Sequence, residues 1–249
     1  MSIQACAELV QKGDPDRFLS AMTGPVAARD VLFPLYAFNL ELARAEFVSN
    51  EPMIARMRLQ FWSDTLDEIA AGKPARAHEV AAPLAQVVRD TSADLVRLHA
   101  LVEARVADVE GHKPDSTKAV IRYAEATAGN LMVLSARALG GTDTPTYVAL
   151  GTAQGLANWF LAQSGLVAAG RGHVPPDTAQ ISELACAGLA ALPGRLSEGD
   201  ATPALRAAWR AKSVLKRAAK SPETVLSGAV GGSEFARRGG LLARTLLGR

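Results

Sequence analysis

The chain has 249 residues, a length that fits one large domain or two small ones and is ample for a buried core. Apolar residues make up 49% of it and aromatic residues 5%, and the abundance of alanine and leucine over β-branched residues favours helices. The net charge is +2, and the sequence has no GxGxxG, Walker, HExxH or CxxC motif. The common nucleotide-binding and zinc-protease sites are therefore excluded, and we expect no nucleic-acid partner.

Targeting and cysteine signals are equally sparse. The N-terminal residues include acids where the apolar region of a signal peptide would lie, so we expect no signal peptide. No run of eighteen uncharged apolar residues occurs, so we predict no membrane span. Cys6 and Cys186 lack metal-ligand spacing and do not indicate a disulfide framework.

The charges are distributed unevenly along the chain. Residues 204–249 contain ten basic and two acidic residues, a net charge of +8, which leaves −6 for the residues before them. A basic segment beside an acidic body predicts either an anionic partner, such as a membrane surface, or docking of the segment onto its own chain. A solvated helical face remains a third interpretation.

In chain order, the first half of the sequence predicts six helices. Asp14 is a capping residue with Pro15 at the first helical position after it, and Pro34 lies inside the third helix, where we expect a kink. Gly24-Pro25 and Gly72 mark helix ends. The predicted helices span 1–13, 14–22, 26–48, 53–72, 78–90 and 93–109.

The second half predicts longer helices that carry small or basic residues. A long helix over 115–139 is followed by an uncharged apolar helix over 145–169, which ends at Gly170 before Pro175. A helix over 177–192 comes next, and a basic helix that includes Trp209 begins at Thr202-Pro203. A loop with one helical turn and a basic amphipathic helix over 234–249 complete the chain.

Two stretches carry a family resemblance. Leu35-Tyr36-Ala37-Phe38 and the matched positions Asn158, Gly170, Arg171 and Pro175 resemble the two signature segments of the squalene/phytoene synthase family. Residues 59–69 and 123–129 are similar to two further segments of that family. The resemblance covers about residues 15–195.

The resemblance implies an all-α fold, a single-domain helical bundle of the class I isoprenoid synthase type over 1–249, with 204–249 as a basic C-terminal segment. Helices 26–48, 115–139 and 145–169 would line a central cavity. Active members of the family join two prenyl diphosphates, which Mg²⁺ binds through two acidic clusters on facing helices. The positions expected to contact a substrate or lipid are Tyr36, Tyr123, Gly129, Asn158 and Arg171.

This sequence departs from the family at the acidic clusters. The six positions of the metal-binding acids hold side chains that supply no carboxylate: Ala43, Arg44, Phe47, Ala162, Gly165 and Leu166. We therefore expect no catalytic residue, no metal site and no cofactor, with Mg²⁺ required only if the protein is an active enzyme after all.

A non-catalytic branch of the family departs in the same way. Residues 33–44 followed by 51–62 resemble the phytoene-synthase-type assembly factors of respiratory complex I. The favoured interpretation is an assembly or scaffold factor that contacts complex I subunits or assembly intermediates and an anionic membrane surface. It would be peripheral to the inner membrane, on the cytoplasmic side in a bacterium or the matrix side in a mitochondrion. The alternatives are an active prenyl diphosphate transferase and a binder of isoprenoid lipid.

Overall fold

The computed structural model describes residues 2–49, 51–168, 175–194, 199–233 and 240–241. Within these ranges the regular structure is helical and contains no strand, which confirms the predicted all-α class. None of the helices in these ranges is both long enough and apolar enough to cross a bilayer. Cys6 is buried and Cys186 exposed, and both are free thiols.

The helices follow the predicted order closely. The longest are α3, which carries the first signature segment, and α9, which carries the second as far as residue 168. The elements are α1 Ile3–Gly13, α2 Pro15–Met22, α3 Val26–Val48, α4 Pro52–Ala70, α5 Ala81–Thr91, α6 Leu95–Val109, α7 Thr117–Ala124, a π-helical turn Glu125–Gly129, α8 Asn130–Ala138, α9 Thr144–Ala168, α10 Thr178–Ala191, α11 Thr202–Leu205, a 3-10 turn Arg206–Ala208, α12 Ala211–Lys220, α13 Glu223–Leu226 and a 3-10 turn Ala229–Gly231.

Acidic caps and prolines start several helices, as the sequence predicts. The Asp14 carboxylate accepts a hydrogen bond from the backbone N–H of Arg17 at 3.0 Å, and Pro15 occupies the first turn of α2. The Asp177 carboxylate accepts one from the N–H of Gln180 at 2.7 Å. Pro34 lies inside α3, which continues to Val48; a kink there stays a prediction.

The helices group into two compact units. The first unit comprises the described residues of Met1–His112, Asn130–Thr144 and Ser197–Arg206. α3 is its central element and packs against α1, α2, α4, α5, α6 and α8. The rings of Phe38 on α3 and Trp62 on α4 meet edge to face, with centroids 5.2 Å apart, and both side chains are buried.

The second unit comprises the described residues of Lys113–Gly129, Pro145–Leu196 and Ala207–Arg249. Its α10 packs against α7 and α12. Gly188 on α10 lies close to Leu215 on α12, where an added Cβ would come within 2.8 Å of a leucine methyl. The single domain predicted over 1–249 stays a prediction.

The structure corrects two helix predictions. The predicted helix 115–139 is interrupted by the π-helical turn, where the Thr127 hydroxyl donates to the Tyr123 carbonyl at 2.7 Å. The predicted basic helix is also interrupted. Trp209 lies in a turn between the 3-10 turn and α12, next to Ala207, whose carbonyl accepts a hydrogen bond from Gln154 of α9. The predicted helix 234–249 lies outside the described residues except at 240–241.

Candidate functional site

Tyr36 lies in the core of the first unit. Its side chain is 2% exposed, and the neighbouring Leu35, Ala37 and Phe38 are fully buried. Burial raises the pKa of the Tyr36 hydroxyl to about 12, and the charge of Arg17 opposes that rise. The Ser135 hydroxyl on α8 is close enough to lower this pKa slightly, although the two oxygens do not have hydrogen-bond geometry. Neither oxygen finds another partner among the described residues.

Arg17 covers Tyr36 and is held by the cap of its own helix. The guanidinium carbon lies 5.6 Å from the centroid of the Tyr36 ring, in the geometry of a cation–π contact. Arg17 Nη1 donates to Asp14 Oδ2 at 2.6 Å, and the two side chains are 8% and 19% exposed. Asp14 is predictable as a cap from the sequence, whereas this partly buried pair is not foreseen, although the spacing of three residues is its signal.

The end of α3 carries the first set of substituted positions. Ala43 and Arg44 are half-buried, and Phe47 is exposed. The nearby acid Glu41 is 9% exposed and forms an ion pair with Arg58 of α4, with Oε2 and Nη2 3.1 Å apart. That carboxylate therefore neutralises an arginine and does not stand in for a lost acid.

In the second unit, Tyr123 lies near the end of α7, and Gly129 is the last residue of the π-helical turn that follows. A Cβ added at Gly129 would lie 3.3 Å from Thr152 Oγ1 and 3.5 Å from the Val148 carbonyl oxygen. A Cβ added at Gly155 would lie 2.9 Å from the Cβ of Ala128. The small residues of this segment thus allow α9 to approach closely.

α9 carries the second set of substituted positions and no charged residue. Asn158, Ala162 and Gly165 are exposed, and Leu166 is half-buried. Two buried glutamines of α9, which were not predicted, hydrogen-bond to the backbone: Gln154 Nε2 donates to the Ala207 carbonyl at 2.8 Å, and Gln163 Nε2 to the Trp159 carbonyl at 3.1 Å. Isolated glutamines in an apolar helix were the signal for them.

The five expected contact residues do not all fall within the described structure. Tyr36 belongs to the first unit, and Tyr123, Gly129 and Asn158 belong to the second. Arg171 lies outside the described residues. A common ligand site formed by these residues, and the central cavity, stay predictions.

The donor chemistry at the substituted positions does not fit magnesium. Mg²⁺ takes oxygen ligands, and the side chains at the six positions are hydrocarbon, hydrogen or guanidinium. Among the described residues, no group of three or more His, Cys, Asp or Glu side chains is arranged to hold a metal ion. No catalytic step through a metal can be derived for these positions.

Comparison with known proteins covers the first signature segment and the start of the second. The model of the squalene/phytoene synthase family matches residues 10–162. The proteins of Bos taurus and Homo sapiens named NADH dehydrogenase (ubiquinone) complex I, assembly factor 6, are each 31% identical over 160 residues, covering 63% of this chain and 48% of theirs. The homolog of that factor in Drosophila melanogaster is 33% identical over 162 residues, 61% of this chain and 48% of its own. The chain spans about half the length of these curated relatives.

Solved structures resemble the whole chain. A dehydrosqualene synthase in complex with a ligand matches with a TM-score of 0.78 at 15% identity, covering 99% of this chain and 96% of that one. A squalene synthase from Alicyclobacillus acidocaldarius matches with a TM-score of 0.62 at 18% identity, covering 96% and 94%. At these identities the likeness shows the fold, and it confirms the predicted isoprenoid synthase type.

Proposed function

The chain belongs to the squalene/phytoene synthase family, and we propose that it acts as an assembly factor for respiratory complex I rather than as a prenyl transferase. The proposal rests on one observation: the buried residues of the family signature are retained, whereas the metal-binding acids are replaced. The buried signature residues around Tyr36 are in place, whereas the six positions of the metal-binding acids supply no carboxylate. The names of the bovine, human and fly relatives support the same role.

The charge of a prenyl diphosphate explains why the missing acids argue against transfer. The leaving diphosphate carries several negative charges, which the family neutralises with Mg²⁺. On α3, Arg44 would repel a metal ion, and the nearby Glu41 is already paired with Arg58. On α9 the substituted side chains have no heteroatom, so a carboxylate-bound metal has no support on either helix.

The proposed place of action is an anionic membrane surface. Burial in the structure indicates which residues of the basic segment are accessible for contact with it. Three apolar side chains of the basic segment are buried, since Leu205, Trp209 and Leu215 are 3%, 5% and 0% exposed, whereas Leu226 is 41% exposed. For the described part of the segment, the alternative in which these residues pack into the protein is therefore the one observed.

The cations of the same segment divide into two groups. Two arginines of the described part of the segment are held by the fold: Arg210 Nη2 donates to the Gly231 carbonyl at 3.1 Å, and Arg217 Nη1 to the Val230 carbonyl at 2.6 Å. The lysines of α12, which we call the lysine row, are exposed and lie four residues apart, so they share one helix face: Lys212, Lys216 and Lys220. No acid lies within ion-pair distance of the row in the described part of the chain.

The lysine row supports a salt-sensitive contact with lipid phosphates. Each cation near an anionic bilayer contributes roughly 1 kcal/mol, so the row would contribute roughly 3 kcal/mol. Exposed charges are screened within about 8 Å at physiological ionic strength, so the contact should weaken steeply with salt. This contribution suits reversible, peripheral binding.

The role in assembly is tested by deleting the gene and measuring assembled complex I on native gels with an NADH-oxidation stain. We expect the assembled complex to be depleted and to return when the wild-type protein is expressed. Complex I that assembles normally without the protein would overturn the proposal. Restoration by an active squalene synthase expressed in place of the protein would also overturn it, because the enzymatic product would then be what the cell needs.

The membrane contact is tested by co-sedimentation with vesicles that contain phosphatidylglycerol. We expect the triple variant with glutamate at Lys212, Lys216 and Lys220 to lose binding. The matched control carries the same charge change at three dispersed exposed lysines, Lys12, Lys73 and Lys118, and should retain most of its binding. Equal loss in both variants would mean that net charge, and not the lysine row, determines binding.

A further inference from the structure

The exposed apolar side chains of the first unit are concentrated at the junction of α3 and α4. Among the described residues ten large apolar side chains are exposed, and five of them lie within residues 47–57. We call these five the α3–α4 patch; their exposed fractions are 46%, 53%, 71%, 39% and 66% for Phe47, Val48, Met53, Ile54 and Met57. A concentration of this kind on a soluble surface typically marks an interaction site.

The patch is not the face by which α4 packs into its own unit. Met53 and Met57 are four residues apart and share one helix face. The residues that α4 buries, Ala55, Leu59 and Trp62, fall on the opposite side of the helix. Substituting the two methionines therefore leaves the core contacts of α4 in place.

The charges around the patch are balanced in a way that disfavours an anionic membrane. Arg56 Nη1 pairs with Glu110 Oε1 at 2.7 Å, and Arg58 Nη2 pairs with Glu41 Oε2 at 3.1 Å. Both arginines in residues 47–58 are thus neutralised by acids. Glu51 is exposed, and no described cation lies within ion-pair distance of it, so the edge of the patch is negative.

We propose that the α3–α4 patch docks an apolar α-helix of a partner protein that carries a lysine or arginine beside its apolar face. Flexible, polarisable methionine side chains suit the varied surface of such a helix, and Glu51 would pair with its cation. This docking site goes beyond the proposed role in assembly, because it specifies the chemistry of a partner. It also lies on different residues from the lysine row.

The first experiment uses a fluorescein-labelled helical peptide with a leucine and alanine face and one terminal lysine, followed by fluorescence anisotropy. We expect the wild-type protein to bind it and Met53→Ser with Met57→Ser to weaken binding at least tenfold. The matched control is Met22→Ser with Val26→Ser, which removes exposed apolar side chains elsewhere in the same unit and should change binding less than twofold. Wild-type protein that fails to bind, or equal effects of the two double variants, would overturn the proposal.

The second experiment tests the charge at the edge of the patch. Glu51→Lys should weaken binding of the lysine peptide and strengthen binding of the same peptide ending in glutamate. An unchanged preference would overturn the proposed pairing. Denaturation curves check that each variant is folded, which is expected because the substituted side chains are exposed.

Two other occupants give different outcomes. If Met53→Ser with Met57→Ser abolished binding to uncharged phosphatidylcholine vesicles and left peptide binding intact, the patch would be a lipid surface and the proposal wrong. If light scattering showed a wild-type dimer that the same variant converts to a monomer, the patch would join two copies of this chain, and the proposal would again be wrong.

Discussion

Two adjacent stretches of α3 have very different surroundings. Every residue from Leu32 to Leu42 is buried, including the signature residues around Tyr36. Over the next five residues, only Ala45 is buried, and the helix reaches solvent at Phe47. The resemblance to the family comes from the first stretch, whereas the metal-binding acids of the family would belong to the second.

The difference explains how the fold of the family can be kept when its metal-binding acids are replaced. Six helices surround α3 in its unit, so a substitution in the buried stretch disturbs close packing and is costly. A carboxylate at the half-buried or exposed end carries no packing role, so its replacement by Ala43, Arg44 or Phe47 costs the fold little. Fold and activity therefore depend on different residues of one helix.

The largest expected effect lies in the buried stretch. Phe38 is fully buried against Trp62, so Phe38→Ala should lower the free energy of unfolding by about 3–5 kcal/mol. The matched control is Phe47→Ala at the exposed end, which should change it by about 0.5 kcal/mol or less. Urea denaturation measures both, and equal losses at the two positions would refute the contrast between the stretches.

Alkaline pH should reveal the burial of Tyr36. The ordinary pKa of 10.0 rises to about 12 in the folded protein because the neutral hydroxyl is favoured there. The corresponding stability is complete below about pH 10 and is lost as pH rises through about 12, a change of roughly 2–3 kcal/mol. Since the thiol of Cys6 also has a pKa of about 12, the comparison must be made with a variant that lacks only the tyrosine hydroxyl.

Tyr36→Phe is that variant. The difference in unfolding free energy between wild type and Tyr36→Phe should shift against the wild type between pH 9 and pH 12. Below pH 9 Tyr36→Phe should be at least as stable as the wild type, because a buried hydroxyl with no hydrogen-bond partner among the described residues is unfavourable. A difference that stays constant over the whole range would show that Tyr36 titrates normally.

A smaller contrast is expected between two glycines of α9. Gly155 lies against Ala124 and Ala128, so Gly155→Val should destabilise the protein by about 1–3 kcal/mol through overpacking. Gly165 occupies a position of a lost acid and has no atom within 4 Å of an added Cβ. Gly165→Ala should stabilise the protein by about 0.5–1 kcal/mol through helix propensity, and a loss of stability there would contradict the open surroundings of that position.

The features of the fold that could be predicted are mostly helix ends, which depend on local signals in the sequence. The Asp14 cap and the prolines at helix starts act within one turn, so the bounds of α2, α3 and α4 follow from them. The π-helical turn could not be foreseen, because it lies where Gly129 and Ala128 meet Thr152 and Gly155 from a distant part of the chain. The turn at Trp209 has the same origin, since the buried Ala207 accepts its hydrogen bond from Gln154.

The candidate site was predictable at the level of residue types and not of contacts. The sequence alone shows that metal-binding carboxylates are absent at positions such as Ala43 and Ala162. The contact of Arg17 with Tyr36 and the exposure of Met53 and Met57 depend on how helices pack, which periodicity does not specify. The lysine row is a similar case, because only packing shows that Leu215 is buried while Lys216 remains exposed.

The absence of Mg²⁺-dependent prenyl transfer is tested by incubating the purified protein with prenyl diphosphates and Mg²⁺. An active squalene synthase serves as the positive control. Released diphosphate and extracted lipid would be measured together. We predict no Mg²⁺-dependent release of diphosphate and no condensed product from this protein. A condensed product that forms with Mg²⁺ and disappears with chelator would contradict this prediction, and would show that other residues replace the acids lost at the ends of α3 and α9.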